Sequence, residues 1–108
     1  MSAKILQINF RLKVPRAEFE QIASSLAGDF ARVPGLLWKI WLMNETEGVA
    51  GGIYLFDDEA SLQAYLDGPL AGAVMSHPAL ADLSAKPFDV LEEATAITRG
   101  PLQTAATA

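Results

Sequence analysis

Residues that could bind or transform a small molecule are concentrated in two apolar stretches, 36–44 (LLWKIWLMN) and 49–56 (VAGGIYLF). Lys39 is the single cation in these two stretches and lies between two tryptophans. Ligand pockets are typically apolar, with a few polar groups that orient the ligand. A pocket formed by these apolar residues can also include polar atoms from the first strand, where Asn9 lies, and from the helix at 59–67, where Tyr65 lies. The substrate-pocket candidates from this pattern are Trp38, Lys39, Tyr54, Tyr65 and Asn9.

Two interpretations of these residues remain open at the level of sequence. Lys39 is either a cation placed beside an anionic substrate, such as an enolate or phenolate, or a lysine whose stem lies along apolar surface with its charge in water. The aromatic residues either fill the core and an interface or surround a ligand cavity. They are Trp38, Trp41, Tyr54, Phe56 and Tyr65.

His77 is the only histidine and the sixth pocket candidate. It is either a loop residue next to Pro78 or a proton carrier at the rim of a pocket. Protein-only zinc and non-haem iron sites usually have two or three histidines, so we predict no metal site. The chain contains no cysteine, which excludes disulfides and thiolate ligands. No serine lies in a nucleophile-elbow motif.

The charge balance excludes several classes of partner. Eight Lys and Arg against 13 Asp and Glu give a net charge of −5, and the cations are scattered. We therefore predict no binding to nucleic acid or to anionic membranes. The sequence has neither a signal-peptide pattern nor the ~20 consecutive apolar residues of a membrane span. The expected location is the cytoplasm.

The elements that must position the candidates follow from apolar periodicity. Alternation in KILQINFRL predicts a first strand in which Leu6, Ile8 and Phe10 share one face, and Asn9 lies on the other. Pro15 suits a first helical position, and Pro34 ends that helix near Arg32. The other predicted elements are strands at 36–44, 49–56 and 84–91, a helix at 59–67, and a helical turn or two within 70–77.

This order predicts an α+β, ferredoxin-like βαββαβ fold with a four-stranded antiparallel sheet and helices on one face. Pro87 predicts that the last strand is an edge or carries a bulge. Gly48 favours a three-residue hairpin loop with this glycine in the left-handed region. Such a loop would place Trp38 and Ile40 on one face with Tyr54 and Phe56. A two- or four-residue loop would exchange the faces of the third strand.

The chain length of 108 residues indicates one domain. We expect this domain to span 1–99 and to be followed by a mobile tail or partner-binding arm at 100–108. The strands at 36–44 and 49–56 are apolar on both faces, and helices cover only one face. A second copy of the same sheet is the simplest cover for the other face, which predicts a homodimer.

Three segments resemble the YdhR-type mono-oxygenases: PGLLWKIW at 34–41, AGGIYLFDDEASLQAYL at 50–66 and KPFDV at 86–90. This family belongs to the dimeric α+β barrel superfamily, which also includes the antibiotic-biosynthesis mono-oxygenases. The resemblance extends from about Ile5 to Val90 and is densest from 34 to 66. It implies a ferredoxin-like subunit that pairs by its sheet, with a cavity between sheet and helices.

For function, the resemblance implies oxidation of a small aromatic or quinol-like substrate by dioxygen. It also implies that no metal or flavin is needed, because several oxygenases of the superfamily use none. It does not supply catalytic residues. Two alternatives remain: a non-catalytic small-molecule-binding or stress-related protein of the same fold, and a haem-handling protein with His77 as axial ligand.

Overall fold

A computed structural model describes residues 3–102. Four strands and four helices alternate along the chain as strand, helix, two strands, two helices, strand and helix. In order they are β1 (Lys4–Leu12), α1 (Arg16–Ala31), β2 (Leu36–Asn44), β3 (Val49–Phe56), α2 (Glu59–Leu66), α3 (Pro69–Met75), β4 (Leu80–Asp89) and α4 (Glu92–Ile97).

The strands form one antiparallel sheet in the order β2-β3-β1-β4. Helix α1 packs against β2, α2 against β1 and β3, and α3 against β4. We call the side under these helices the helix face and the other side the open face. The helix face carries the core, whose most deeply buried side chains include Leu6, Ile8 and Phe56. This is the predicted α+β, ferredoxin-like fold.

The first three strands and the first two helices agree with the sequence prediction to within a residue or two at each end. Pro15 precedes α1 as its N-cap residue rather than opening the helix. The Asp58 side chain caps α2 by accepting a hydrogen bond of 2.8 Å from the backbone N–H of Ser61. A carboxylate in this position satisfies an N–H that has no partner within the helix.

The last strand begins earlier than predicted, at Leu80 rather than Ser84. The pairing of β1 with β4 is irregular between Asn9 and Arg11, opposite a bulge that contains Asp82 at φ 53°. The bulge puts Leu80 and Leu83 on the core side at a spacing of three. That spacing breaks the alternation used to recognise a strand. β4 is an edge strand, as Pro87 predicted.

A short helix, α4, follows β4 where the sequence predicted no element. None of its residues is buried, so it has no apolar stripe that would have signalled a helix. Beyond it, the Trp38 indole N–H donates a 2.6 Å hydrogen bond to the carbonyl oxygen of Pro101. Of the predicted tail, Gly100–Leu102 is described, and the rest lies outside the described residues.

The hairpin between β2 and β3 differs from the favoured prediction. Its turn has four residues, Glu45–Gly48, with Gly48 at φ 68°, so the left-handed glycine is confirmed and the three-residue loop is wrong. Lys39 pairs with Tyr54, and Trp38 pairs with Leu55 across an irregularity near the start of β2. The faces of β3 are therefore exchanged relative to that prediction.

The open face remains apolar and partly exposed in the single chain. Ile40 on β2 is 50% exposed and Phe88 on β4 is 46% exposed. Trp38, Leu42 and Ile53 lie on the same side and are partly buried. Among the described residues, no helix combines the length and apolar character needed to cross a bilayer.

Candidate active site

A small cavity of about 30 Å³ lies between the helix face of the sheet and the helices above it. The sheet, the helices α1 and α3 and the segment after α3 contribute to its wall, and most of the wall is apolar. The lining residues are Phe10, Phe19, Ile22, Leu26, Phe30, Lys39, Trp41, Gly51, Tyr54, Val74, His77 and Leu80. Four of the lining residues carry polar side-chain atoms: Lys39, Trp41, Tyr54 and His77.

Lys39 directs its ammonium group onto aromatic rings. Its Nζ lies 3.4 Å from the ring centroid of Trp41, 3.5 Å from that of Phe30 and 4.6 Å from that of Tyr54. We call these three rings the aromatic cage. Each ring face carries partial negative charge and attracts a cation within about 6 Å. The cage therefore holds the amine inside the cavity wall rather than at the surface.

Local sequence explains how a lysine reaches this position. Lys39, Trp41 and Tyr54 share the helix face, because cross-strand partners lie on the same side of a sheet. Gly52, on the same face, leaves space for the lysine stem. A Cβ atom at Gly52 would lie 2.9 Å from Lys39 Cε and 3.3 Å from the Tyr54 ring. Any other residue at this position would displace the lysine side chain.

The cage replaces the charge partners that a lysine usually has. None of the ion pairs among the described residues involves Lys39. Burial lowers the pKa of Lys39 to about 7, because removal from water disfavours the charged form. The ring faces favour the ammonium and oppose this shift. Near neutral pH, Lys39 can therefore exchange between ammonium and free amine.

Tyr54, one of the cage rings, and Tyr65 on α2 form a second polar group. Their ring centroids are 5.4 Å apart, and their hydroxyl oxygens lie 3.5 Å apart, at the outer limit for a hydrogen bond. Burial raises the pKa of both phenols, and the proximity of Tyr65 raises that of Tyr54 further. Both are therefore neutral hydroxyls at ordinary pH, and Tyr54, which lines the cavity, is able to donate a hydrogen bond to an anionic ligand.

His77 lies where the chain leaves α3, at the rim of the cavity. Its Nδ1 accepts a 3.1 Å hydrogen bond from the backbone N–H of Ala79. In the neutral ring the proton is then on Nε2, which is the nitrogen left to contact a ligand. Among residues 3–102, no cluster of three His, Asp or Glu side chains has the geometry to hold a metal ion.

The structure places four of the six predicted pocket residues at this cavity and the other two outside it. Tyr54, Lys39 and His77 line the cavity, and Tyr65 supports it from behind. Trp38 and Asn9 lie on the open face.

For Trp38 the reason is the four-residue hairpin turn, which places Trp41 in the cavity wall instead. For Asn9 the alternation of β1 had already indicated the face opposite to Phe10, and its side-chain oxygen accepts a hydrogen bond from Gln7. Neither residue lines this cavity, but Trp38 lines a separate cleft of about 280 Å³ together with Lys39 and Trp41, and its role in binding stays a prediction.

The cavity is small relative to an aromatic substrate. Its volume of about 30 Å³ matches the space that one water molecule occupies, whereas apolar cavities that bind benzene measure about 150 Å³. A ring can enter only if side chains move. Lys39 is the most flexible residue in the wall and already occupies the space over the cage, so its movement would open the most room.

Comparison with known proteins agrees with this architecture. The family model described as putative mono-oxygenase ydhR matches residues 5–101. The chain belongs to this family. The match extends further towards the C terminus than the resemblance read from the sequence, and includes α4. A search of curated proteins gives no match.

Solved structures show the same fold at low sequence identity. A protein of unknown function from Nitrosomonas europaea, NE2512, superposes with a TM-score of 0.71 at 23% identity, over 84% of this chain and 91% of that one. SnoaB, a cofactor-independent oxygenase from Streptomyces nogalater, gives 0.69 at 21% identity, over 83% and 94%. The haem degrader MhuD from Mycobacterium tuberculosis gives 0.61 at 22%, over 81% and 95%.

Proposed function

We propose that this ydhR-family protein is a mono-oxygenase that oxidises a small aromatic or quinol-like substrate with dioxygen. The observation that carries the proposal is the apolar cavity whose wall combines an aromatic cage with a single amine. Family membership supports the reaction class. The cavity supports the substrate class, because its rings can stack on an aromatic ligand and its few polar groups can bind one oxygen substituent.

The reaction needs no external reductant when the substrate is electron-rich. A hydroquinone and dioxygen give a hydroxyquinone and one water, so the substrate supplies every electron and the second oxygen atom leaves as water. We propose that no metal or flavin takes part, as in SnoaB, a cofactor-independent oxygenase of the same fold. The protein would hold the substrate anion and dioxygen together in a dry site.

We also propose a homodimer formed through the open face. Ile40 and Phe88 leave exposed apolar surface on a sheet whose other face is already covered. In a symmetric dimer the same surface covers itself on the second copy. Sedimentation velocity at micromolar concentration should give the mass of a dimer, and a monomer would contradict this part of the proposal.

Oxygen uptake tests the proposed reaction. Metal-free and flavin-free protein is mixed with a panel of hydroquinones and naphthols in an oxygen electrode. We expect saturable uptake that is proportional to protein and exceeds spontaneous oxidation. Trp41→Ala should lower kcat/KM about tenfold through loss of a cage ring, and the matched Trp38→Ala should not.

Two outcomes favour other functions. A ligand that raises the melting temperature but is recovered unchanged would indicate a binding protein. A shifted Soret band on titration with haem, lost in His77→Asn, would indicate haem handling. No uptake above the protein-free rate across the whole panel would contradict the mono-oxygenase.

A further inference from the structure

The aromatic cage is already filled by a group of the protein itself. Aromatic cages of this kind recognise organic cations, but this one is occupied by a side chain of the same chain. The stem of Lys39 reaches the cage across Gly52, where a Cβ atom would clash. A glycine within a strand weakens that strand, and such a glycine often marks a close approach. The arrangement positions an amine where a substrate ring would have to stack.

We propose that Lys39 is the proton acceptor for a phenolic substrate, its free amine taking the hydroxyl proton and its ammonium then remaining beside the phenolate. This inference rests on the proposed function and assigns a catalytic residue and a substrate class to it. The step is balanced: a neutral phenol and a neutral amine become a phenolate and an ammonium, and no proton enters or leaves the site.

The composition of the wall favours a phenol over a substrate that is already ionised. A cavity lined mostly by apolar groups admits a neutral ring at little cost, whereas a carboxylate would have to lose its hydration before it entered. Proton transfer inside the cavity reduces that cost, because each of the two charges forms beside its opposite. Tyr54 can then donate a hydrogen bond to the phenolate oxygen.

The cage couples the position of Lys39 to its charge. The ammonium is attracted to the three rings, whereas the free amine has no such attraction. Loss of the proton therefore releases Lys39 from the cage and opens space over Trp41 and Phe30 for the ring of the substrate. After accepting the phenolic proton, the ammonium again has aromatic faces beside it, including that of the substrate.

The titratable groups around Lys39 leave two candidate bases in the cavity wall, Lys39 and His77. Burial lowers the pKa of Lys39 to about 7, so a large fraction is free amine just above neutral pH. Burial also raises the pKa of Tyr54 from β3 and of Tyr65 from α2, and both stay neutral.

His77, in the segment after α3, lines the same cavity and is the alternative base. Phe30 is the residue of α1 that contacts the Lys39 ammonium. The neighbouring carboxylate of Asp29 forms an ion pair of 2.7 Å with the exposed Arg32. The experiment must therefore separate Lys39 from His77.

Binding of 2-naphthol tests the inference without requiring turnover. Its ionised form absorbs at longer wavelengths than the protein, so the pKa of the bound phenol can be read directly. We expect the acid dissociation constant of bound 2-naphthol to be about tenfold or more larger than that of free 2-naphthol. Lys39→Met should abolish the increase, and the matched surface variant Lys13→Met should retain it.

Two further variants separate a base from a mere counter-charge. Lys39→Arg keeps a positive charge that cannot be removed. At a pH where Lys39 is largely free amine, each naphtholate that forms should release no proton to solvent in the wild type, but should release one proton in Lys39→Arg. Gly52→Ala retains the amine but displaces it from the cage, and should give an intermediate increase.

The outcomes distinguish this inference from the mono-oxygenase proposal. An increase that survives in Lys39→Met, one that is lost in His77→Asn instead, or absence of 2-naphthol binding to the wild type would overturn the role of Lys39. Oxygen uptake that is equally fast in Lys39→Met would overturn it as well. An increase that depends on Lys39, in a protein that takes up no oxygen with any hydroquinone, would support the inference and contradict the oxygenase.

Discussion

The two faces of the sheet are built from the same strands and differ in what covers them. On the helix face, Tyr54 and Phe56 are buried under helices, and Lys39 is held over aromatic rings. On the open face, Ile40 and Phe88 are half exposed. One face completes a core within the chain, and the other is suited to a second molecule. Apolar composition alone does not distinguish a core face from an interface.

The largest contrast between the faces should appear when a phenylalanine is truncated on each. Phe56 is 0% exposed and Phe88 is 46% exposed. Phe56→Ala should lower the free energy of unfolding by about 3–5 kcal/mol because it leaves a cavity in the core. Phe88→Ala should cost less than about 1 kcal/mol in the monomer. Chemical denaturation at low protein concentration measures both, and equal losses would contradict the assignment of faces.

The charged group on the helix face should make stability depend on pH. The pKa of Lys39 is about 7 in the folded chain and about 10.4 in the unfolded chain. Below pH 7 both states carry the proton and the full cost of burying it is present. Between pH 7 and 10 the folded state loses its proton first, so the unfolded state binds more protons and stability rises with pH.

The size of this rise can be isolated with Lys39→Met. Between pH 7 and 10, we expect the free energy of unfolding of the wild type to rise by up to about 4 kcal/mol relative to that of this variant. Attraction between the ammonium and the aromatic rings makes this rise smaller. Urea denaturation at several pH values measures the difference, and Lys13→Met is the control for an exposed lysine. Parallel pH profiles in wild type and Lys39→Met would show that Lys39 keeps its ordinary pKa.

On the open face, a charge should disrupt association rather than folding. Ile40→Glu should weaken the proposed dimer by about tenfold or more, because symmetry places the new carboxylate in the interface twice. Met75, on α3, is 46% exposed, close to the 50% of Ile40, and Met75→Glu is the matched control. Sedimentation velocity measures the association, and circular dichroism confirms the fold. An unchanged dimer in Ile40→Glu would place the interface elsewhere.

The two tryptophans allow the smallest and most local test. Trp41 has the Lys39 ammonium 3.4 Å from its ring centroid, whereas Trp38 donates its N–H to Pro101. Fluorescence of Trp38→Phe, which reports Trp41, should change with pH near 7. Fluorescence of Trp41→Phe, which reports Trp38, should not.

Loss of the hydrogen bond in Trp38→Phe should cost only about 1 kcal/mol. If the signals of both single-tryptophan proteins titrated alike, the two residues could not lie on opposite faces.

Much of the fold could be predicted from local patterns. Alternation defined β1, and proline and glycine ended α1 and α2 near the observed residues. The start of β4 could not be predicted, because the bulge at Asp82 breaks the alternation. α4 was missed because it buries nothing. Local sequence patterns reveal an element only when it has a regular apolar side.

The role of the predicted site residues stays a prediction, but the structure shows where they lie. Lys39, Tyr54 and His77 line one cavity, and Tyr65 lies next to Tyr54. Trp41 lines this cavity instead of Trp38 because the hairpin turn is one residue longer than predicted. A shift of one residue reverses the faces of a strand. The close approach that Gly52 permits could not be read from the chain, because it depends on a side chain from the neighbouring strand.

The sequence by itself determined the order of elements, the excess of apolar surface on β2 and β3, and the presence of one lysine among aromatic residues. It could do so because periodicity and composition are local properties. Tertiary structure decided which face each aromatic residue occupies and what surrounds Lys39. Those outcomes depend on the register between strands and on contacts between distant residues. The aromatic cage exists only because the four-residue turn brings Lys39 opposite Tyr54 and α1 brings Phe30 above both.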